Sequence, residues 1–155
     1  MILIVDDVDE VGSISSEYLM RRVPNVEAFE TTRPTEALAW LRTAPRVDLI
    51  LSDHHMGEMD GVTFLRQARD LRPQATRALM TAYLDLPLPP GDLARRGIHA
   101  LVKKPWQWAD FALFVVDLLS LTSADRARLA AGAPLQFPEG TFADSRAGAR
   151  GAGRA

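Results

Sequence analysis

The chain is 155 residues long, which is enough for one well-buried domain and leaves little for a second. Hydrophobic residues make up 47%, charged residues 25% and the formal net charge is -2, so composition gives no reason to expect general binding to nucleic acid or membranes. The absence of cysteine excludes disulfides and thiolate chemistry, and the lack of a signal-peptide pattern at the amino terminus favours a cytoplasmic protein.

Apolar runs rich in Ile, Leu and Val alternate with segments of helical period, which is the pattern of βα units around a parallel sheet buried on both faces. In chain order, the predicted elements are a strand at 2–5, a helix at 10–22, a strand at 26–30, a helix at 34–42, a strand at 47–52, a helix at 61–71, a strand at 77–81, a strand at 100–103 and a helix at 108–121. The sequence therefore predicts an α/β fold with five strands.

The connection between the last two predicted strands contains the stretch LPLPPGDLARRG at residues 86–97. Its prolines leave room for only a short helix, so we expect this connection to be the least regular and most mobile part of the domain. Earlier in the chain, Asp60 directly precedes the predicted helix at 61–71 and is a candidate for its amino-terminal cap.

The chain beyond residue 121 has a different composition. Residues 122–132 contain one short helical segment, SADRARLAAG, which we interpret as an extension of the domain. Residues 133–155 are dominated by Gly, Pro, Ala and Arg, and we expect them to form a disordered tail. Arg146, Arg150 and Arg154 could form a basic helical stripe, but the nearby glycines penalise that helix and favour a solvated tail.

Polar side chains stand where four of the predicted strands end. Asp6 and Asp7 follow the first strand, Asp53 follows the third, Thr81 ends the fourth and Lys104 follows the fifth. In an open α/β sheet, right-handed crossovers bring the carboxyl ends of the strands to one edge, where ligands bind. We therefore expect these five side chains to meet in space.

Such a cluster calls for a cation, because three carboxylates close together repel one another. Hard oxygen ligands suit Mg²⁺, which takes one or two carboxylates and commonly bridges to a phosphate oxygen. A lysine supplies further positive charge and a threonine supplies a hydroxyl donor. This set of groups is typical of phosphoryl transfer, in which catalysis is mostly positioning and neutralisation of charge.

Four motifs carry a resemblance to a known family: ILIVDD, LILSDHHMGEMDG, ALMTA and ALVKKPW, in that order along the chain. The sequence resembles the receiver domain of two-component response regulators, of the single-domain, CheY-like kind, over residues 1–121. Each motif alone is weak, but four motifs on four strand ends are specific. The resemblance implies a flavodoxin-like, doubly wound parallel sheet in the order 2-1-3-4-5.

The resemblance also implies roles for individual residues. Asp53 would be the phosphoacceptor, and Asp6, Asp7 and Asp53 would hold Mg²⁺ together with the main-chain carbonyl of His55. Thr81 would bond one phosphoryl oxygen and Lys104 would pair with another. A cis peptide bond often precedes the proline that follows this lysine.

The partners implied are a sensor histidine kinase or a histidine phosphotransfer protein and an unknown protein target. No DNA-binding helix-turn-helix follows the receiver pattern, so we expect output by protein contact and no enzymatic activity beyond the domain's own phosphorylation and dephosphorylation. The predicted helix at 108–121 is apolar around much of its circumference, and its outer face could pack against a second copy, another partner or residues 123–132.

The chain departs from the family pattern at several positions. Gly57 stands where the family often has proline, so the loop after Asp53 can adopt a wider range of backbone angles. Leu101 stands where the family usually has Tyr or Phe as a switch residue. His55 and Tyr83 would flank the path of an attacking water. We hypothesise that their bulk slows hydrolysis of the phosphoryl group.

Three other interpretations remain open from the sequence. Asp7-Val-Asp9-Glu-Val11 also resembles the nucleophile motif of haloacid-dehalogenase-type phosphatases, with Asp7 as nucleophile, although the downstream acidic pair that such enzymes need is missing. A receiver-shaped interaction module that is never phosphorylated would leave the acidic cluster unexplained. A zinc or manganese site at His54 and His55 lacks further ligands.

Overall fold

The computed structural model describes residues 1–82, 89–132 and 135–137. In chain order, the elements are β1 (Ile2–Val5), α1 (Asp9–Arg22), β2 (Ala28–Thr31), α2 (Pro34–Thr43), β3 (Leu49–Asp53), α3 (Gly61–Leu71), β4 (Thr76–Thr81), α4 (Pro90–Arg95), β5 (Ala100–Lys103), α5 (Trp108–Ser120), α6 (Ser123–Ala131) and β6 (Leu135–Phe137). The elements predicted from the hydrophobic pattern are all present, with ends that differ by at most two residues.

The strands form one parallel sheet in the order β2-β1-β3-β4-β5-β6. The predicted five-stranded order 2-1-3-4-5 is confirmed within it. Side chains alternate across each strand, so Leu3 and Val5 pack with α2, α3 and α4 on one face, whereas Ile2 and Ile4 pack with α1 and α5 on the other. Because helices cover both faces of the sheet, every residue of β1, β3 and β4 is buried.

The sixth strand, β6, was not expected from the sequence. The sequence predicts a disordered tail over residues 133–155, but residues 135–137 form a strand; the rest of the tail lies outside the described residues. Without β6, the outer edge of β5 would present unpaired main-chain N–H and C=O groups. Parallel pairing of Ala100 with Leu135 and of Val102 with Phe137 covers that edge.

The helical extension α6 packs against α4. The sequence suggested that residues 123–132, a second copy or another partner could cover the outer face of α5. The structure does not show residues 123–132 in that position. Leu113 and Val116 on that face remain 43% and 41% exposed. A homodimer through α5 stays a prediction.

The connection that follows β4 contains only the six-residue helix α4 among its described residues. Residues 83–88, including Tyr83, lie outside the described residues, so the expectation that this connection is the most mobile stays a prediction. No helix in the described parts of the chain is long and apolar enough to cross a membrane.

Candidate functional site

The parallel register brings the polar strand ends together at the carboxyl edge of the sheet. Asp53 is the last residue of β3 and pairs with Met80 of β4. Thr81 is the last residue of β4 and pairs with Lys103 of β5, so Lys104 is the first residue beyond that pair. Because β1 lies beside β3, Asp6 enters the same edge directly after Val5.

Lys104 joins two of the predicted carboxylates. Its Nζ lies 2.6 Å from Asp6 Oδ2 and 2.5 Å from Asp53 Oδ1. The Asp6 side chain is fully buried, whereas the side chains of Asp53 and Lys104 are 10% and 21% exposed. A solvent-facing opening therefore remains on the side of Asp53 and Lys104, and Asp6 lies beneath it.

Main-chain N–H groups hold the other oxygens of both carboxylates. Val8 N–H donates to Asp6 Oδ1 at 3.1 Å, and His55 N–H donates to Asp53 Oδ2 at 2.7 Å. These bonds fix the orientation of the two carboxylates before any ligand arrives.

Burial sets the electrostatics of the site. Burial raises the pKa of Asp6, and the hydrogen bond and charge of Lys104 oppose that rise without cancelling it. Burial alone would lower the pKa of Lys104, but its hydrogen bonds to Asp53 and Asp6 outweigh burial and raise this pKa. Lys104 therefore stays protonated, and its positive charge offsets the cost of burying the carboxylates of Asp6 and Asp53.

Asp7 and Thr81 are placed differently from the other three predicted residues. Asp7 is exposed and makes no hydrogen bond or ion pair within the described part of the chain. Thr81 is 1% exposed at the end of β4, and its main-chain carbonyl accepts a hydrogen bond from Lys104 N at 2.8 Å. The structure thus joins Asp6, Asp53 and Lys104 directly and places Thr81 on the neighbouring strand end.

The donor set can be tested for its fit to Mg²⁺. Across residues 1–82, 89–132 and 135–137, no group of three or more His, Cys, Asp or Glu side chains is arranged to hold a metal ion. The chemistry of the donors nevertheless fits, because Asp6, Asp7 and Asp53 offer hard carboxylate oxygens. Asp6 and Asp53 face the single ammonium of Lys104, and this excess of negative charge favours a divalent cation.

Gly61 is a residue of the site that the sequence interpretation missed. A Cβ at this position would lie 2.1 Å from the Asp53 main-chain oxygen and 2.7 Å from Leu79 Cδ1. Helix α3 therefore begins in direct contact with the strand end that carries Asp53. The signal in the sequence was the Asp60-Gly61 pair, which indicated only a cap and a turn.

The cap itself is present, since Asp60 Oδ1 accepts a hydrogen bond from Thr63 N at 2.9 Å. The loop that it closes is also held by His54 N donating to Met80 O and Gly61 N donating to His54 O, both at 2.9 Å. These bonds fix both ends of the segment that follows Asp53.

His54 and His55 do not form a metal site in the described structure. Their ring centroids are 4.4 Å apart and tilted by 56°, and His54 Nδ1 is buried without a partner. Burial, followed by the neighbouring His55, lowers the pKa of His54. Among the described residues, no third ligand joins these two rings, and they pack against each other.

Two further expectations concern β5 and the proline that follows it. The Lys104-Pro105 bond is cis, as the motif ALVKKPW implied. Leu101 is 3% exposed and packs in the core on the side of α3 and α4. An aliphatic side chain thus fills the position where the family usually has an aromatic one.

Comparison with known sequences gives one family. The profile described as response regulator receiver domain matches residues 2–114. The hydrogenase transcriptional regulatory protein HoxA of Bradyrhizobium diazoefficiens is 28% identical over 141 residues, which cover 90% of this chain and 28% of that protein. The chain spans less than a third of the length of the curated relatives that it matches.

Comparison with solved structures gives the same fold. The signal receiver domain of an HD domain-containing protein from Pseudomonas fluorescens Pf-5 superposes with a TM-score of 0.65 at 28% identity, covering 83% of this chain and 92% of that one. A CheY-like receiver domain protein from Methanospirillum hungatei JF-1 superposes with a TM-score of 0.66 at 23% identity, covering 82% of this chain and 95% of that one. At 23% identity, the similarity to the Methanospirillum protein shows only that the two chains share a fold.

Proposed function

The chain belongs to the response regulator receiver domain family, and on that basis we propose that Asp53 accepts a phosphoryl group from a phosphohistidine in the presence of Mg²⁺. As a receiver domain, it takes part in two-component signalling together with histidine kinases or phosphotransfer proteins. The contacts at the carboxyl edge of the sheet support the assignment of this role to Asp53 and its neighbours.

The observation that supports this assignment best is the position of Lys104 between Asp6 and Asp53, at 2.6 and 2.5 Å. A carboxylate oxygen of Asp53 attacks the phosphorus, an acyl phosphate O–P bond forms, and the P–N bond to the donor imidazole breaks with its electron pair returning to nitrogen. The Lys104 ammonium then pairs with the new phosphoryl oxygens instead of the Asp53 carboxylate.

The remaining residues support this transfer by position and charge. Thr81, at the end of β4, donates its hydroxyl to a phosphoryl oxygen. Asp6, Asp7 and Asp53, with the main-chain carbonyl of His55, would hold Mg²⁺, which supplies additional neutralisation of the phosphoryl charge. His55 N–H already donates to Asp53 Oδ2 at 2.7 Å, so the carboxylate is oriented with its other oxygen toward Lys104.

Phosphorylation would signal by changing this network. The added negative charge draws Lys104 away from Asp6, and the change in contacts biases the loops at this edge between two conformations. The output is contact with a protein target in the cytoplasm, without turnover of an external substrate.

A small phosphodonor tests the proposal. Incubation with acetyl phosphate and Mg²⁺ should add one phosphoryl group to the intact mass, and Asp53→Asn should abolish the gain. Asp70→Asn, which removes an exposed carboxylate on α3, is the matched control and should leave the gain intact.

Two outcomes would replace the proposal. Catalytic hydrolysis of the phosphodonor that is lost only in Asp7→Asn would identify a phosphatase with Asp7 as its nucleophile. No mass gain in the unaltered chain, with Mg²⁺ present, would identify an interaction module that is not phosphorylated.

A further inference from the structure

A cleft between α3 and α4 carries a concentration of positive charge. The cleft has a volume of about 440 Å³ and is lined by Arg66, Arg69, Asp92, Arg95 and Arg96. Four arginines face one aspartate there, although the whole chain has a formal net charge of -2. The cleft is thus opposite in sign to the protein that contains it.

The arginines of the cleft are not all neutralised by neighbours. Arg95 pairs with Asp92, and Arg69 pairs with Asp70 at 3.3 Å while its Nη1 donates to the Arg95 main-chain oxygen at 3.4 Å. The side chains of Arg66 and Arg96, by contrast, make no hydrogen bond or ion pair within the described residues. Within the described residues, two guanidinium groups of the cleft are therefore without an anionic partner, one on α3 and one at the end of α4.

A buried arginine beneath the cleft adds to the positive potential. Arg77 is 3% exposed, and its guanidinium donates to main-chain oxygens, among them Gly97 O at 2.6 Å and Ala75 O at 2.8 Å. No carboxylate within the described residues is paired with it. Burial, followed by the charges of Arg69 and Arg126, lowers the pKa of Arg77 to about 10, with a weaker opposing effect from Asp70.

Arg69 connects the cleft with this buried charge. A Cβ placed at Gly97 would lie 2.8 Å from Arg69 Cδ and 3.4 Å from Arg77 Nε, so both arginines approach the same turn at the end of α4. Because the charges of Arg69 and Arg77 repel each other here, an anion in the cleft would relieve a repulsion that already exists.

The cleft is separate from the phosphoacceptor site. Arg66 is five residues into α3, about 7.5 Å along the helix from Gly61, which contacts Asp53. Arg77 and Gly97 lie at the amino ends of β4 and β5, whereas Asp53 and Lys104 lie at the carboxyl edge of the sheet.

We propose that the α3–α4 cleft is a docking site for an acidic segment of a protein partner. The guanidinium fork matches a carboxylate in a bidentate geometry, which makes arginine well suited to such a contact. Among the described residues, the lining contains no aromatic or aliphatic side chain, and this argues against a nucleobase or a drug-like ligand, which both need apolar or stacking surfaces.

A labelled oligoglutamate peptide is the probe for this cleft. Its affinity for the full chain is measured by fluorescence anisotropy at low salt, and its site is mapped by changes in backbone amide shifts. We expect the shifts to cluster on α3 and α4, and we expect Arg66→Gln/Arg96→Gln to weaken binding about tenfold.

The matched control is Arg21→Gln/Arg42→Gln, which removes two exposed arginines from α1 and α2 and gives the same net charge. It should change the affinity less than twofold. Equal weakening by the two double variants, amide shifts located away from the cleft, or no measurable binding would each overturn the proposal. Tighter binding of a labelled oligothymidylate at the same arginines would also overturn it, in favour of a nucleic-acid site.

Discussion

Lys104 lies against two carboxylates that would otherwise repel each other. Replacing it in Lys104→Met keeps an unbranched stem and removes the charge. We expect the free energy of unfolding to fall by about 2 kcal/mol, less than for a fully buried pair because Lys104 is 21% exposed. Urea denaturation measures the change.

The control for this variant is Lys103→Met, one residue earlier, whose charge is not among those that act on the pKa of Asp6. The loss should be clearly smaller there. Equal losses of unfolding free energy in the two variants would mean that Lys104 stabilises the fold only through its contribution to the net charge. Its contacts with Asp6 and Asp53 would then have no stabilising role.

Asp60 gives a prediction for pH dependence. Partial burial opposes its ionisation, but hydrogen bonds from the Thr63 hydroxyl and N–H outweigh burial and lower the pKa of Asp60 below its ordinary value of 3.8. A lowered pKa in the folded state means that the ionised form stabilises the fold above the unfolded pKa. This contribution is lost as pH falls through the folded pKa.

Asp60→Asn keeps the cap acceptor and removes the charge. We expect it to cost about 0.3–1 kcal/mol at neutral pH, and we expect the difference from the unaltered chain to vanish in acid. Denaturant unfolding at several pH values measures both. A difference that stays constant down to the acid transition would show that the charge of Asp60 has no such role.

At the residue scale, the sequence predicted the members of the site better than their contacts. Asp6, Asp53 and Lys104 could be found because each stands at a strand end, and parallel strands share an edge. The exposure of Asp7 could not be found, because it depends on the path that the chain takes into α1. Gly61 was missed because its close approach to Asp53 is a contact between elements.

At the element scale, the start of α3 packs directly against the end of β3, which carries Asp53. Gly61→Ala would place a methyl group against the Asp53 main-chain oxygen, so α3 and β3 must separate. We expect a loss of about 1–3 kcal/mol in the free energy of unfolding and slower phosphorylation. Thermal unfolding and the rate of mass gain with acetyl phosphate measure the two effects.

Gly57 provides a control in the same loop. A Cβ there meets nothing within 4 Å, and among the described residues the glycine with positive φ is Gly97, not Gly57. Gly57→Ala should therefore be neutral or slightly stabilising. If the two alanine variants behaved alike, the contact between α3 and the end of β3 would not position Asp53.

The hydrophobic pattern predicted these elements because β1, β3 and β4 are short buried runs and because α2, α3 and α5 each bury a set of apolar side chains. Prolines and capping residues in the sequence then indicated where several helices begin or end, including the start of α3 at Gly61. β6 could not be predicted in this way. Three residues are too short for a periodic signal, and their pairing with β5 depends on two intervening helices.

At the scale of the whole molecule, Mg²⁺ should bind the folded chain and stabilise it by linkage. At a concentration ten times its dissociation constant, the gain is about 1.4 kcal/mol. Thermal unfolding with MgCl₂, compared with NaCl at equal ionic strength, measures it. Asp7→Asn should reduce the gain, and an undiminished gain in that variant would exclude Asp7 from the metal site.

Chemical trapping can show whether Asp53 itself carries the phosphoryl group. Borohydride reduces an aspartyl phosphate to homoserine, so the phosphorylated chain can be reduced, digested and mapped by mass spectrometry. We expect homoserine at position 53, and its formation should require Mg²⁺ and Lys104. Homoserine at position 7 instead, or none at any aspartate of a chain that has gained a phosphoryl group, would contradict it.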